Sequence, residues 1–297
     1  VSVRLARTRP DLVIVQGDTT SALAGALAAK DCGIAVAHVE AGLRSHAPEP
    51  WPEEPKRIRI DAVPDLLFAP THAAAANLAR EKVHGTVHVT GNSGVDALLQ
   101  ALKPPRLREP AQRKRILVTT HRRENQRERL RIICGALRRL VSELPVEILF
   151  LLHSNGRYHA PIVAVLAGLD HVEVRKAVGH DEMVELMQGS WLFLTDSGGM
   201  QEDGPPLGRP VLVMRSVTER VEAPDNIRLV GTDPDAIFGA VNELLMSSTA
   251  YAKMAKPALP FGDGQAAPRI AAIIADWLTR RMGTEADRRQ SSRRAAD

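Results

Sequence analysis

Short, unbroken apolar runs punctuate the chain. Leu12-Val13-Ile14-Val15 ends at Gly17, Ile34-Ala35-Val36-Ala37-His38-Val39 ends at Glu40, and similar runs recur at 66–69, 87–89, 116–118, 148–152, 172–174, 192–194 and 211–213. Runs that do not alternate with polar residues predict strands covered on both faces, as in a parallel sheet. Between most of them the apolar residues fall at helical spacing, for example over 21–30, 73–80, 130–140, 183–187 and 236–245. Strand alternating with helix predicts an α/β protein with Rossmann-like, doubly wound domains. The rhythm stops over 104–114, where Pro104, Pro105 and Pro110 sit among arginines. Proline withholds a backbone donor, so this stretch reads as a linker between an N-terminal domain at 1–103 and a C-terminal one at 115–268. From Gly283 onward the composition predicts a disordered tail, 283–297.

Composition narrows the class. Of 297 residues, 44% are hydrophobic but only 3% aromatic, which favours thin layers of helix on sheet over an aromatic-rich sandwich. No window approaches 18 uncharged apolar residues, so no membrane partner is expected, and no secretory signal stands out. Two cysteines, Cys32 and Cys134, are too few for a disulfide framework, which makes a cytoplasmic setting the default. The net charge of +4 raises the question of nucleic acid, but part of the excess lies in the tail and in Arg122-Arg123. Phe and Tyr do not interleave with the basic residues as a base-stacking surface requires. A small phosphorylated ligand fits better, and no nucleic-acid partner is expected.

Open α/β sheets bind ligands at the carboxyl ends of their strands, so the residues following each run carry the candidate chemistry. They are Asp18, Glu40 with Arg44, the Glu53-Glu54 pair, His121, His153, and Thr195-Asp196-Ser197-Gly198-Gly199. Each has an ordinary reading. Asp18 suits a helix N-cap, Glu40 a structural pair with Arg44, Glu53-Glu54 a first helical turn favoured by the dipole, and His121 a satisfied core histidine. Their convergence at sheet ends favours chemistry. Ser197-Gly198-Gly199 suits backbone N–H groups approaching a phosphate, though a tight turn with a cap reads the same. Neither GxxxxGK[ST] nor GxGxxG occurs, so no dinucleotide cofactor is indicated, and His153 lacks a partner at metal-ligand spacing. No metal is expected.

Seven motifs occur in one order: Gly17-Asp18-Thr19-Thr20, His38-Val39-Glu40-Ala41-Gly42-Leu43-Arg44, Trp51-Pro52-Glu53-Glu54, His121-Arg122-Arg123-Glu124-Asn125, Thr195 through Glu202, Thr218-Glu219-Arg220, and Phe261-Gly262-Asp263-Gly264. Together they resemble the non-hydrolysing UDP-N-acetylglucosamine 2-epimerases, from about Asp11 to about Trp277. The resemblance implies two Rossmann-like domains of glycosyltransferase-B type, with the C-terminal domain binding UDP and a helix at 269–282 packing back on the N-terminal domain. It also implies a cytoplasmic homodimer, a UDP-sugar substrate, no cofactor, and inversion at C2 by anti elimination of UDP and re-addition through a glycal. Asp18, Glu40 and Glu53 match the family's catalytic acids, and His121 its catalytic-site histidine. Arg44, Arg57, Arg122, His153, Ser197, Gly198, Gly199, Glu202, Asp203 and Arg220 fall in the substrate-binding set.

The departures from the family pattern also carry expectations. Lys56 stands where asparagine is usual, and Asp203 replaces a glutamate that the family uses for the ribose hydroxyls. Nothing before Asp11 resembles the family's opening glycine-rich turn, so the N-terminal domain is expected to be incomplete, with exposed apolar strand edges and impaired activity. On that expectation, a UDP-binding remnant without turnover and a glycosyltransferase of the same fold stand as the alternatives.

Overall fold

The apolar runs become the strands of two all-parallel sheets. The computed structural model describes residues 1–47, 51–104, 112–120, 128–153, 156, 159–223 and 225–294. In the first half the elements are α1 (Ser2–Thr8), β1 (Leu12–Gln16), α2 (Thr20–Asp31), β2 (Ala35–Val39), α3 (Glu53–Asp61), β3 (Leu66–Ala69), α4 (His72–Glu81), β4 (Thr86–Val89) and α5 (Ser93–Ala101). Then come β5 (Lys114–Thr119), α6 (Glu128–Glu143), β6 (Val146–Leu151), α7 (His159–Leu166), β7 (Val172–Arg175), α8 (His180–Gln188), β8 (Leu192–Thr195), α9 (Gly198–Asp203) and β9 (Val211–Val213). The chain closes with β10 (Ile227–Leu229), α10 (Pro234–Met246), α11 (Ser248–Met254) and α12 (Ala266–Arg294).

These elements form two compact units: unit 1 is Val1–Leu43, Pro55–Asp96 and Gly262–Asp297, and unit 2 is Arg44–Glu54 and Ala97–Phe261. Unit 1 holds a sheet of order β1-β2-β3-β4. Its helices are small-residue rich where they meet the strands. A Cβ added to Gly25 of α2 would lie 3.2 Å from Val15 Cγ1, so the Ala/Gly face lets the helix lie close on β1. On another face, Ile270, Ile273, Ile274 and Trp277 of α12 pack with Ala37, Val39, Leu66 and Phe68 of β2 and β3. Asp96 fixes the start of that helix by accepting from Ala266 N–H (3.1 Å) and Ala267 N–H (2.6 Å). Strand β1 lies at the sheet edge, and Ile14 on it is 55% exposed.

Unit 2 holds a sheet of order β10-β9-β8-β5-β6-β7. Ile116, Val118, Ile148, Phe150, Leu192 and Leu194 face one buried layer, while Leu117, Leu149, Leu151 and Phe193 face the other. Burial on both faces is why these strands read as unbroken apolar runs. The order reverses between β5 and β8, the switch point at which doubly wound sheets leave a crevice.

Three features depart from the sequence reading. Helix α1 precedes the first apolar run, and β10 was not signalled. Helix α12 runs through Arg294, past the point where composition predicts a disordered tail. Residues 283–294 contain four arginines with one alanine, one glutamate and one glutamine, all strong helix formers, and Gly283 alone does not end the helix.

Candidate functional site

In unit 1, Asp18 and Glu40 stand at the carboxyl ends of the adjacent strands β1 and β2. The cap of α2 is Thr19, whose hydroxyl accepts from Ala22 N–H at 3.1 Å, so Asp18 is not needed as a cap and projects from the turn. Its carboxylate instead accepts from Arg57 Nη2 at 2.8 Å, with the arginine side chain 3% exposed and the aspartate 30%. Gly17 has φ +67°, and a Cβ there would lie 3.5 Å from Glu40 Oε2. The Glu40 carboxylate therefore overhangs the turn that carries Asp18. Glu40 itself has φ +71°, a left-handed conformation that costs a residue with a long side chain about 1–2 kcal/mol.

Beneath these acids lie His38 and Asp61, both fully buried. His38 Nδ1 is 2.6 Å from Asp61 Oδ1, and His38 Nε2 is 3.0 Å from the Gly17 carbonyl oxygen. Asp61 Oδ2 accepts from Gly42 N–H at 3.1 Å. Gly42 has φ +84°, and a Cβ there would fall 2.3 Å from the Ala74 carbonyl oxygen, so only glycine fits.

The Glu53-Glu54 pair opens α3, and the two behave differently. Glu54 is buried and accepts from Ser45 N–H at 3.1 Å and His46 N–H at 3.3 Å, tying down the segment after Arg44. Glu53 is only half-buried. Arg44 is buried. His153 follows β6 and is exposed, and its carbonyl oxygen accepts from His159 Nε2 at 2.6 Å. His121 and Arg122 lie outside the described residues.

In unit 2 the switch point carries Thr119 and Thr195, whose hydroxyls are 2.6 Å apart. Thr195 Oγ1 also accepts from Ser197 N–H at 2.9 Å, so the turn from β8 into α9 is anchored on the strand end. Ser197 is the N-cap of α9. Gln201 Nε2 donates to the Ser197 carbonyl oxygen at 3.1 Å, and its Oε1 accepts from Thr218 Oγ1 at 2.6 Å. Thr218 Oγ1 in turn accepts from Arg220 N–H at 3.1 Å. Thus the Thr218-Glu219-Arg220 loop is bolted to the start of α9.

Arg220 is buried between two carboxylates. Its Nε donates to Glu202 Oε1 at 2.9 Å, its Nη1 donates to Glu219 Oε1, and Glu219 Oε2 accepts from Arg215 Nη2 at 2.9 Å. The guanidinium lies against Gly198: a Cβ there would stand 2.8 Å from Arg220 Cζ. At Gly199 the nearest atom to an added Cβ is Ser197 Oγ at 3.9 Å, which leaves that backbone face open. The two glycines therefore differ: one makes room for the arginine, and the other faces open space. Asp203, at the end of α9, has its carboxyl pushed up to about 7 by burial.

Among the residues that hold these candidates, His38, Gln201, Thr218 and Glu219 lie within the quoted motifs but were given no role there, and Asp61 and Arg215 lie outside them. One signal was available: His38 is the polar residue inside an otherwise apolar strand, where an unpartnered imidazole would be costly.

Two parallel sheets, one with a Ser-Gly-Gly helix start and a buried arginine at its switch point and one with paired strand-end carboxylates, define an α/β protein of Rossmann-like, doubly wound units. The family model for UDP-N-acetylglucosamine 2-epimerase matches residues 1–275. The chain belongs to this family. It is 40% identical over 284 residues to the UDP-N-acetylglucosamine 2-epimerase of Escherichia coli K12, covering 90% of this chain and 76% of that protein. The Bacillus subtilis enzyme of the same name is 40% identical over 271 residues, covering 88% of this chain and 71% of that one. Among solved structures, the S. aureus MnaA–UDP co-structure superposes with a TM-score of 0.87 at 35% identity, covering 94% of this chain and 79% of that one. The Neisseria meningitidis UDP-GlcNAc 2-epimerase bound to UDP-GlcNAc gives a TM-score of 0.87 at 33% identity, with coverages of 93% and 79%. Among the described residues no helix is long and apolar enough to cross a membrane.

Proposed function

We propose that this chain is an isomerase that interconverts UDP-N-acetylglucosamine and UDP-N-acetylmannosamine by inverting C2 of the sugar. The observation that carries the reading is the pair of carboxylates, Asp18 and Glu40, presented side by side at the ends of two parallel strands, Glu40 in a strained conformation. Strain retained at a strand end is a mark of a functional position.

Inversion at C2 requires the hydrogen to leave from one face and return on the other, and C2–H is not acidic on its own. A carboxylate removes the proton while the C1–O bond to UDP breaks. The C2–H electron pair then forms a C1=C2 double bond, and the C1–O pair leaves with UDP. In the return step UDP oxygen attacks C1 of the glycal as an acid protonates C2 from the opposite face. Asp18, Glu40 and Glu53 supply acids and bases, with His121 assisting. Ser197, Gly198, Gly199 and Arg220 receive the charge that builds on the departing diphosphate, and aligned donors in a partly dry site are the strongest source of such stabilisation. Glu202 holds Arg220, and Asp203 takes the ribose hydroxyls. Arg44, Arg57, Arg122 and His153 complete the contacts to substrate. The family resemblance also supports a homodimer, a cytoplasmic setting and no need of a bound cofactor.

The test is incubation of the 297-residue chain with UDP-N-acetylglucosamine in deuterated water with no acceptor. Appearance of the manno epimer carrying deuterium at C2, abolished by Glu40→Gln, is expected. UDP binding without exchange would instead identify a nucleotide-binding remnant, and sugar transfer only on adding an acceptor would identify a glycosyltransferase.

A further inference from the structure

The chemistry above gives no task to His38 and Asp61, although both are fully buried and both reach the turns next to the proposed acids. A carbonyl oxygen only accepts, so His38 Nε2, 3.0 Å from the Gly17 oxygen, carries a hydrogen. An ionised carboxylate also only accepts. Nδ1, 2.6 Å from Asp61 Oδ1, therefore carries a second hydrogen, or Asp61 is protonated and donates to the ring. The remaining carboxylate oxygen takes Gly42 N–H at 3.1 Å. Thus one end of the pair grips the residue before Asp18, and the other grips the residue two after Glu40.

Both gripped residues are left-handed glycines, Gly17 at φ +67° and Gly42 at φ +84°, and Glu40 between the two contacts is left-handed as well. Glycine enters and leaves such conformations freely, so turns built on it need outside contacts to stay fixed. We infer that His38 and Asp61 are positioning residues, His38 fixing the Gly17 turn through Nε2 and Asp61 fixing the Gly42 turn through its carboxylate, so that Asp18 and Glu40 keep their places through proton removal and return. The inference rests on the reading of Asp18 and Glu40 as the acid–base pair acting at C2.

Two substitutions divide the contacts. In His38→Gln the amide nitrogen reaches the place of Nε2 and keeps the donor to Gly17. In His38→Asn the amide nitrogen reaches only the place of Nδ1, keeping Asp61 and leaving the Gly17 oxygen bare. Misplacement of a catalytic group by about 1 Å costs about 100-fold. H38N should therefore lower kcat for deuterium exchange at C2 by about 100-fold, with KM and UDP affinity within about threefold of the parent, whereas H38Q should stay within about fivefold on the same scale. Independently of turnover, hydrogen exchange of the peptide spanning Gly17 to Thr20 should speed up by about tenfold in H38N, which frees the turn whose amide bonds Val39. In H38Q it should not. Equal kcat in the two variants, or unchanged hydrogen exchange in H38N, would overturn the inference. A parent chain without C2 exchange would sink the assigned chemistry instead, and the peptide exchange would still decide whether His38 locks the turn.

Discussion

Gly198 and Gly199 are adjacent and chemically identical, yet the structure gives their replacement by alanine opposite outcomes. At Gly198 the new methyl carbon would stand 2.8 Å from both Cζ and Nη1 of Arg220 and 3.1 Å from Nη2. The guanidinium is normally the free end of a pliable side chain and would swing away at little cost. Here it is 7% exposed and held by Glu202 and Glu219. Moving it breaks two buried ion pairs, so either the arginine or the backbone of α9 must shift. Overpacking of this kind costs about 1–3 kcal/mol. A gain of about 0.5–1 kcal/mol from replacing a helical glycine offsets part of that. The net of about 1–2 kcal/mol corresponds to a melting temperature lower by about 2–8 °C for a unit of this size. In Gly199→Ala the methyl meets only Ser197 Oγ at 3.9 Å, so the free protein should melt at or slightly above the parent temperature. On the proposed function its UDP affinity should nevertheless fall by about tenfold or more, about 1.4 kcal/mol, because the methyl covers the backbone face assigned there to phosphate. Thermal melting with and without UDP, together with titration calorimetry, separates the two effects. A G198A protein that melts with the parent, or a G199A protein that binds UDP as the parent does, would refute the reasoning.

Two further outcomes follow from single side chains. Burial lifts the Asp203 carboxyl to about 7, above its ordinary value of about 4, so the folded state favours the protonated form. Stability from this group is full below about pH 4 and is lost as pH rises through about 7, with a ceiling near 4 kcal/mol that partial solvent access reduces to about 1–2. Asp203→Asn should thus gain on the parent in urea melts run from pH 5 to pH 8, and parallel curves would contradict the burial argument. Asp96→Ala removes the carboxylate that caps α12 and should cost about 0.5–2 kcal/mol. Trp277, which packs on β2 and β3 through that helix, should report the loosening as a red-shifted and weakened fluorescence, partly restored in Asp96→Asn.

The strands were legible because their burial is two-sided. Ile116-Leu117-Val118 needs an apolar residue at every position, since successive side chains enter different layers. Helix α1 has no buried residue and so leaves no periodic signature, and β10 is an edge strand of three residues with Arg228 in the middle. At the site, position along the chain was informative and partnership was not. Asp18 and Thr19 are both good capping residues, and composition cannot choose between them. The left-handed turn at Gly17 sets the frame in which Thr19 caps α2 and Asp18 is released to Arg57. Gly198 read as room for a phosphate, whereas the atom that forbids a side chain there belongs to Arg220. Glu54 reads as the twin of Glu53, yet a loop nine residues back claims it.

Unit 1 is assembled from three stretches of chain, the last of them beginning at Gly262, whereas nearly all of unit 2 is one stretch, Ala97–Phe261. On a ribosome delivering residues from the amino end, the second unit has most of its sequence in hand while the first still lacks the helix that covers Phe68 and Val39. That strip of sheet must wait, uncovered, while residues 69–265 are made. A chaperone that shields apolar strands during synthesis would find its longest engagement there, and expression yield would respond most to changes in Ile270, Ile273 and Trp277.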